Sequence, residues 1–131
     1  MKTLYAIICL TFSLLNTGCD NEDQNYYLPE LEQVWMNSYE EENTSDYKIY
    51  RPATVFVFPE SRYRQVFEFK KNYQCNFSVL SPVDAHYMDE GKWLVNQLTK
   101  TITVTSNTTN TVYEFEVIEL TNSILKIKFN K

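Results

Sequence analysis

The feature that most limits what this chain can become is a two-residue alternation of apolar and polar side chains recurring through its C-terminal two-thirds. Tyr63, Gln65, Phe67 and Phe69 share one face, with Arg62, Arg64, Val66 and Glu68 on the other. Cys75, Phe77 and Val79 alternate with Gln74, Asn76 and Ser78, and Ile102 and Val104 with Thr101, Thr103 and Thr105. Tyr113, Phe115 and Val117 alternate with Glu114 and Glu116; Leu125, Ile127 and Phe129 alternate with Lys126 and Lys128. A strand turns successive side chains to opposite faces, so each segment reads as a half-buried antiparallel strand with one wet face. From Leu31 onward no long segment places apolar residues at helical spacing.

Less regular strands surround Val34, Trp35 and Met36, run from Tyr47 to Arg51, and run from Gly91 to Val95. The total is about eight, which suits a sandwich or a closed barrel. Pro52, Pro59 and Pro82 mark loops, because proline cannot donate to a central ladder. Lys71, Asn72 and Tyr73 read as one hairpin turn and residues 106–110 as another. Gly91 is the only glycine after Cys19, so asparagine is expected at most positive-φ positions. Residues 81–90 read as the longest loop, with room for a single helical turn.

At 131 residues the chain holds one such domain. Its two Trp, ten Tyr and eight Phe offer ample surface to bury, which argues against disorder. A net charge of −5 argues against a nucleic-acid binder, and two glycines in all exclude a glycine-rich phosphate loop.

The N-terminus carries a different signal. Lys2 supplies a positive charge, residues 4–15 are almost wholly apolar, and Thr17, Gly18 and Cys19 follow. The apolar run is shorter than the roughly 20 residues a spanning helix needs, and the arrangement is that of a secretory signal peptide. Thr17-Gly18-Cys19 resembles the end of a bacterial lipobox, with Asn16 standing where an aliphatic residue is usual. That resemblance implies acylation of Cys19 and hence a membrane anchor. The acidic stretch Asp20, Asn21, Glu22, Asp23 resembles the surface-export tag of Bacteroidota lipoproteins. The expected organisation is a signal peptide at 1–18, an acidic tether at 19–30 and a β domain at 31–131. Residues 20–46 hold nine acids and no lysine or arginine, so the tether is expected to be repelled by a negative membrane and to hold the domain off its surface. After processing, Cys75 is the one cysteine left in the body, and stability must come from packing rather than disulfides.

Convergent chemistry is sparse. His86 is the only histidine, which excludes a histidine-rich metal site. Asp84, His86, Asp89 and Glu90 read as a solvated acidic turn, not a cation loop. A Cys75–His86 pair is the sharpest enzymatic arrangement available, but nothing marks a third, orienting group. The expectation is a non-catalytic protein with no metal and no cofactor. The candidate site is the interior or mouth of a barrel, lined by Tyr50, Tyr63, Phe67, Phe69, Phe77, Trp93, Tyr113 and Phe115. Arg62 and Arg64, with Arg51, would crown its opening and meet an anionic group. The plainer reading of the same rings is core filler, and of the arginines exposed strand residues. Trp35 reads as a plug at the barrel bottom.

From Phe67 onward the pattern resembles the lipocalin-like lipoproteins of the Bacteroidota. The matching pieces are Phe67-Glu68-Phe69-Lys70-Lys71-Asn72, Cys75-Asn76-Phe77, Gly91-Lys92-Trp93-Leu94, Ile102-Thr103-Val104 and the closing hairpin from Tyr113 to Ile127. Departures are Gln33 in place of the usual first-strand glycine and the absence of an arginine near the last strand, where Lys126 and Lys128 stand. The resemblance implies an all-β, eight-stranded antiparallel up-and-down barrel, filled or holding one small ligand. The leading expectation is a membrane-anchored binder of a small apolar or amphipathic molecule. The alternative is a filled barrel serving as an interaction module for an envelope protein, such as an inhibitor or an accessory subunit. A hydrolase built on Cys75 and His86 is the third reading. The expected location is a bacterial outer membrane or cell surface, or its periplasmic side.

Overall fold

The alternating segments become strands, and the strands close on themselves. A computed structural model describes residues 27–44, 46–61, 63–80 and 86–130. The signal peptide, Cys19, the acidic residues before Tyr27, Arg62 and Asp84 lie outside the described residues. Eight strands follow in order: β1 (Val34–Asn37), β2 (Lys48–Pro52), β3 (Val66–Phe69), β4 (Gln74–Leu80), β5 (His86–Asn96), β6 (Thr101–Ser106), β7 (Val112–Leu120) and β8 (Leu125–Phe129). They form a closed antiparallel barrel in the order β1-β2-β8-β7-β6-β5-β4-β3. Closure leaves no open sheet edge, which removes the hazard of strand-to-strand aggregation.

The order is a plain succession of neighbours from β3 to β8. At the start of the chain it is not, because β1 lies between β2 and β3 and pairs with both. Trp35 faces Pro52 on one side and Phe67 on the other. Both neighbours run antiparallel to β1, so they run parallel to each other, and residues 53–65 must travel the length of the barrel to join them. Arg51, on the outer face of β2 between inward Tyr50 and Pro52, covers Phe56, so this strap crosses outside the barrel wall.

Inward positions are the ones the alternation names. Trp35, Tyr50, Phe67, Phe77, Trp93, Ile102, Val104, Phe115, Leu125 and Ile127 are fully buried, and Phe69 and Cys75 nearly so. Thr101, Thr103 and Thr105 stay on the wet face of β6 while Ile102 and Val104 turn in, as the pattern predicts.

Two local features depart from the sequence expectation. Among the described residues positive φ occurs at Asn72 (58°), Tyr73 (57°) and Lys100 (54°), so asparagine supplies one of these positions and not most of them. Consecutive positive values at Asn72 and Tyr73 are those of a two-residue hairpin turn whose twist matches that of its strands. Tyr73 tolerates its backbone because its ring packs on Trp93 at 5.2 Å. Gly91 is not needed for its backbone angle. A Cβ there would lie 2.3 Å from the Thr105 carbonyl oxygen and 3.0 Å from the Phe77 ring, so the glycine permits close approach of β6. The second departure is at 81–90, read as a loop. His86 to Glu90 are instead the first half of β5, paired with β4 from Leu80↔His86 to Asn76↔Glu90. Their alternation is disguised because the inward residue nearest the core is an aspartate, Asp89.

Candidate functional site

The two ends of the barrel are built differently. One end gathers the β3–β4, β5–β6 and β7–β8 turns and is stopped by a 3-10 turn, Pro29–Leu31, that precedes β1. Proline near the start of that turn presets its backbone angle at no hydrogen-bond cost. Leu31 is fully buried, and its carbonyl accepts the Trp35 indole N–H at 3.0 Å. Gln33 Nε2 reaches the Asn122 carbonyl at 3.3 Å, and Tyr27 packs edge-on against Tyr73 at 6.4 Å. Leu28 also packs on the core, so the domain takes in the last residues of the stretch read as a tether. Trp35 therefore plugs the closed end, as its position in the sequence suggests.

Aromatic rings fill the space above this plug. Phe67 is their centre: Tyr50 lies 5.6 Å away, Phe69 5.9 Å, Phe77 6.5 Å, Tyr113 5.7 Å and Phe115 5.7 Å, measured between ring centroids. Trp93 sits lower, 5.7 Å from Phe69, with its indole N–H donated to the Lys70 carbonyl at 3.1 Å. Tilted and edge-on pairs of this kind add about 0.5–1.5 kcal/mol each beyond the area they bury. Seven of the eight expected rings thus come together. Tyr63 is the exception: it lies before β3, stacked on His86 at 4.5 Å, with its hydroxyl 3.4 Å from Ser78 Oγ.

Toward the other end, where β4 passes to β5 and β6 to β7, the inward side turns polar. The Tyr50 hydroxyl donates to Gln65 Oε1 at 2.6 Å, and burial raises its pKa well above the ordinary phenol value. Tyr113 is half-buried and stands edge-on to Phe67 and Phe77, with its pKa raised by burial. Tyr87, on the same face of β5 as Asp89, is 47% exposed.

Asp89 is only 5% exposed. Its Oδ2 accepts from Ser106 Oγ at 2.7 Å, and its Oδ1 from Thr108 Oγ1 at 2.8 Å and the Glu90 N–H at 2.8 Å. These bonds, Ser106 first, hold its pKa below the usual aspartate value. Ser106 Oγ in turn accepts from the Thr108 and Thr109 N–H groups at 3.0 and 2.9 Å, which fixes the β6–β7 turn. Sequence reasoning placed Asp89 in a solvated turn and did not single out Ser106. The available signal was the run of odd positions Asp89, Gly91, Trp93 and Val95.

The arginines are occupied within the protein. Arg64 is nearly buried; it donates to the Asn37 carbonyl at 2.9 Å, to both oxygens of Glu40 and to the Pro59 carbonyl at 2.7 Å. Its guanidinium also lies over the rings of Tyr39 (4.7 Å) and Phe58 (5.1 Å). Arg51 makes a two-point pair with Glu41 at 2.8 and 2.7 Å, donates to the Ser123 carbonyl at 2.9 Å and covers Phe56. Both arginines clamp the strap, and the hydrogen bonds they make go to protein acceptors. Lys126, on the last strand, lies over Tyr47 at 4.5 Å.

The enzymatic arrangement is not assembled. Cys75 faces Gly91 and His86 faces Leu80, five residues apart on the same ladder, or about 16 Å at strand spacing. Burial pushes the Cys75 thiol up to about 12, which keeps it protonated and inert. Among the described residues no group of three or more His, Cys, Asp or Glu side chains is placed to hold a metal ion.

Compared with known proteins, the chain matches no family model, no curated sequence and no solved structure. The site therefore rests on its own geometry: a barrel plugged at one end, packed with rings through its middle, and faced with tyrosines and hydroxyl groups at the other.

Proposed function

We propose that this protein is a non-catalytic, lipid-anchored, lipocalin-like binder that takes the apolar part of a small amphipathic molecule at the open end of its barrel. The observation that carries the reading is the change of polarity along the interior. Apolar rings rise from the plug to Phe67 and Phe77, and above them stand Tyr113, the Tyr50 hydroxyl with Gln65, and Asp89 with Ser106. An amphipathic molecule entering there would lay its apolar part on the half-exposed ring of Tyr113 and keep its polar end among hydroxyl groups. The anchor rests on the lipobox-like Thr17-Gly18-Cys19, which supports a location at the bacterial envelope. The buried, protonated thiol of Cys75 and its distance from His86 support a binder over a hydrolase.

The test is titration of the protein with an environment-sensitive apolar fluorophore. Saturable binding is expected, weakened by Tyr113→Ala and Tyr87→Ala. No saturable binding with a series of such probes would overturn the reading.

A second reading is favoured by one feature. Phe67 is fully buried and ringed by aromatic neighbours, which is the packing of a filled core. A solid barrel that binds an envelope protein through its outer faces follows from it. Capture of a defined partner from envelope extract, with no probe binding, is the outcome that would select this reading.

A further inference from the structure

We infer that the plugged end of the barrel is a lipid-docking surface, so that the protein sits on its own membrane with the mouth turned away from it. The inference rests on the proposed acylation of Cys19 and adds to it an orientation and the residues that make the contact.

Three observations converge on this end. The first is where the chain enters. Tyr27 packs against Tyr73 of the β3–β4 turn, so the described chain begins at the plugged end. Only seven residues separate the acylated position from Tyr27, and the eight steps from one to the other, fully stretched, reach at most about 28 Å. The eleven residues of β5 run about 36 Å along the strand, or about 28 Å in height at usual barrel tilt. A protein anchored at Cys19 brings its open end to the bilayer only with this stretch pulled taut along the whole barrel. The plugged end needs no such extension.

The second observation is apolar surface. Leu98, in the β5–β6 turn, is 96% exposed, and Val55, three residues past the end of β2, is 77% exposed. Both belong to the plugged end, and the side chain of neither is packed against the core. Tyr27 adds an amphipathic ring at the point of entry, exposed and hydrogen-bonded to Glu32. Leucine, valine and tyrosine are side chains that enter the headgroup boundary readily.

The third is charge. Lys71 and Lys100 stand exposed in the β3–β4 and β5–β6 turns beside these residues, where their ammonium groups meet lipid phosphates while their stems cover apolar surface. Exposed Glu30, in the plug turn, and Glu119, near the end of β7, stand at the same end, so the lysines offset acids there rather than making the face basic, and the apolar residues carry the contact. The acids of the tether, Asp20, Glu22 and Asp23, oppose the approach, and the exposed Leu98 and Val55 with the two lysines are what overcomes them.

The experiment uses the mature acylated protein reconstituted on vesicles of equal parts phosphatidylcholine and phosphatidylglycerol. Leu98→Cys and Asn110→Cys are each labelled with an environment-sensitive fluorophore; the buried Cys75, with its thiol at about 12, stays unlabelled. Both positions are exposed, so neither substitution disturbs the core. Flotation reports anchoring, and quenching by nitroxide lipids reports contact. The expected result is flotation of both proteins, with a blue shift and quenching for the label at position 98 and neither for that at 110. Flotation with the label at 98 left in water, or with that at 110 quenched instead, overturns the docking while leaving the anchor intact. Failure to float overturns the anchor and the docking with it.

Discussion

The ring of Tyr113 stands edge-on to the ring of Phe67, with centroids 5.7 Å apart and planes at 87°. Phe67 is fully buried and Tyr113 is not, so this pair is the boundary between the packed part of the barrel and its open end. In the proposed mode of binding, an entering molecule meets Tyr113 first.

Phe67 is the most consequential core position. Phe67→Ala removes a ring that touches those of Tyr50, Phe69, Phe77, Tyr113 and Phe115, and the closed wall cannot collapse into the gap. The expected loss is about 3–5 kcal/mol in urea unfolding, and Phe67→Leu should recover about half of it. A loss below about 1 kcal/mol would mean that the interior is not packed as described.

Gly91→Ala places a methyl group against the Thr105 carbonyl oxygen, where the backbone of β6 has to give way. Destabilisation of about 1–3 kcal/mol is expected, with a matching fall in melting temperature. Lys100→Gly should act the other way. Its φ of 54° costs a side-chain-bearing residue about 1 kcal/mol, and the side chain is exposed, so stability should rise by a few tenths to about 1 kcal/mol.

Acid should unfold the protein through three carboxylates. Glu40 and Glu41 are held below their ordinary 4.5 by hydrogen bonds from Arg64 and Arg51, and Asp89 below its ordinary 3.8 by Ser106. A carboxylate with a lowered folded pKa stabilises the fold above its unfolded pKa, and that contribution disappears as pH falls through the folded value. Stability should therefore be level above about pH 5 and decline below pH 4. Asp89→Asn should lower stability at pH 7, and its difference from the native chain should shrink as pH falls below 3.8. A deficit that stays constant from pH 7 to pH 2 would show that the Asp89 charge contributes nothing.

Much of this architecture is legible in the sequence because strand period and burial are tied. In β4, β6, β7 and β8, buried or half-buried apolar residues alternate with polar ones; about eight strands suit a sandwich as well as a barrel, and closure comes from β1 pairing with both β2 and β3. What escapes the pattern does so for physical reasons. His86 to Glu90 pass for a loop because Asp89 faces inward, its charge supported by hydroxyl groups from β6 and the turn after it, which are distant in sequence. The strap escapes because Val55, Phe56, Val57 and Phe58 look like a strand; Phe56 and Phe58 pack on each other at 4.8 Å and under arginines, and Val57 is 90% exposed. Arg51 and Arg64 look like surface cations because their partners Glu41 and Glu40 lie in a 3-10 turn, Tyr39–Glu41, ten and 24 residues earlier. Of the candidate site, the rings are readable from composition and period. The polar groups at the mouth are not, because pairing across strands selects them.

Binding at the mouth is the central claim, and titration of an apolar fluorophore into the native protein, Tyr113→Ala and Leu98→Ser tests it most directly. The account predicts one saturable site, weakened about tenfold by Tyr113→Ala, equivalent to about 1.4 kcal/mol, and unchanged by Leu98→Ser at the opposite end. Equal binding by all three proteins, or none by the native chain, would contradict it.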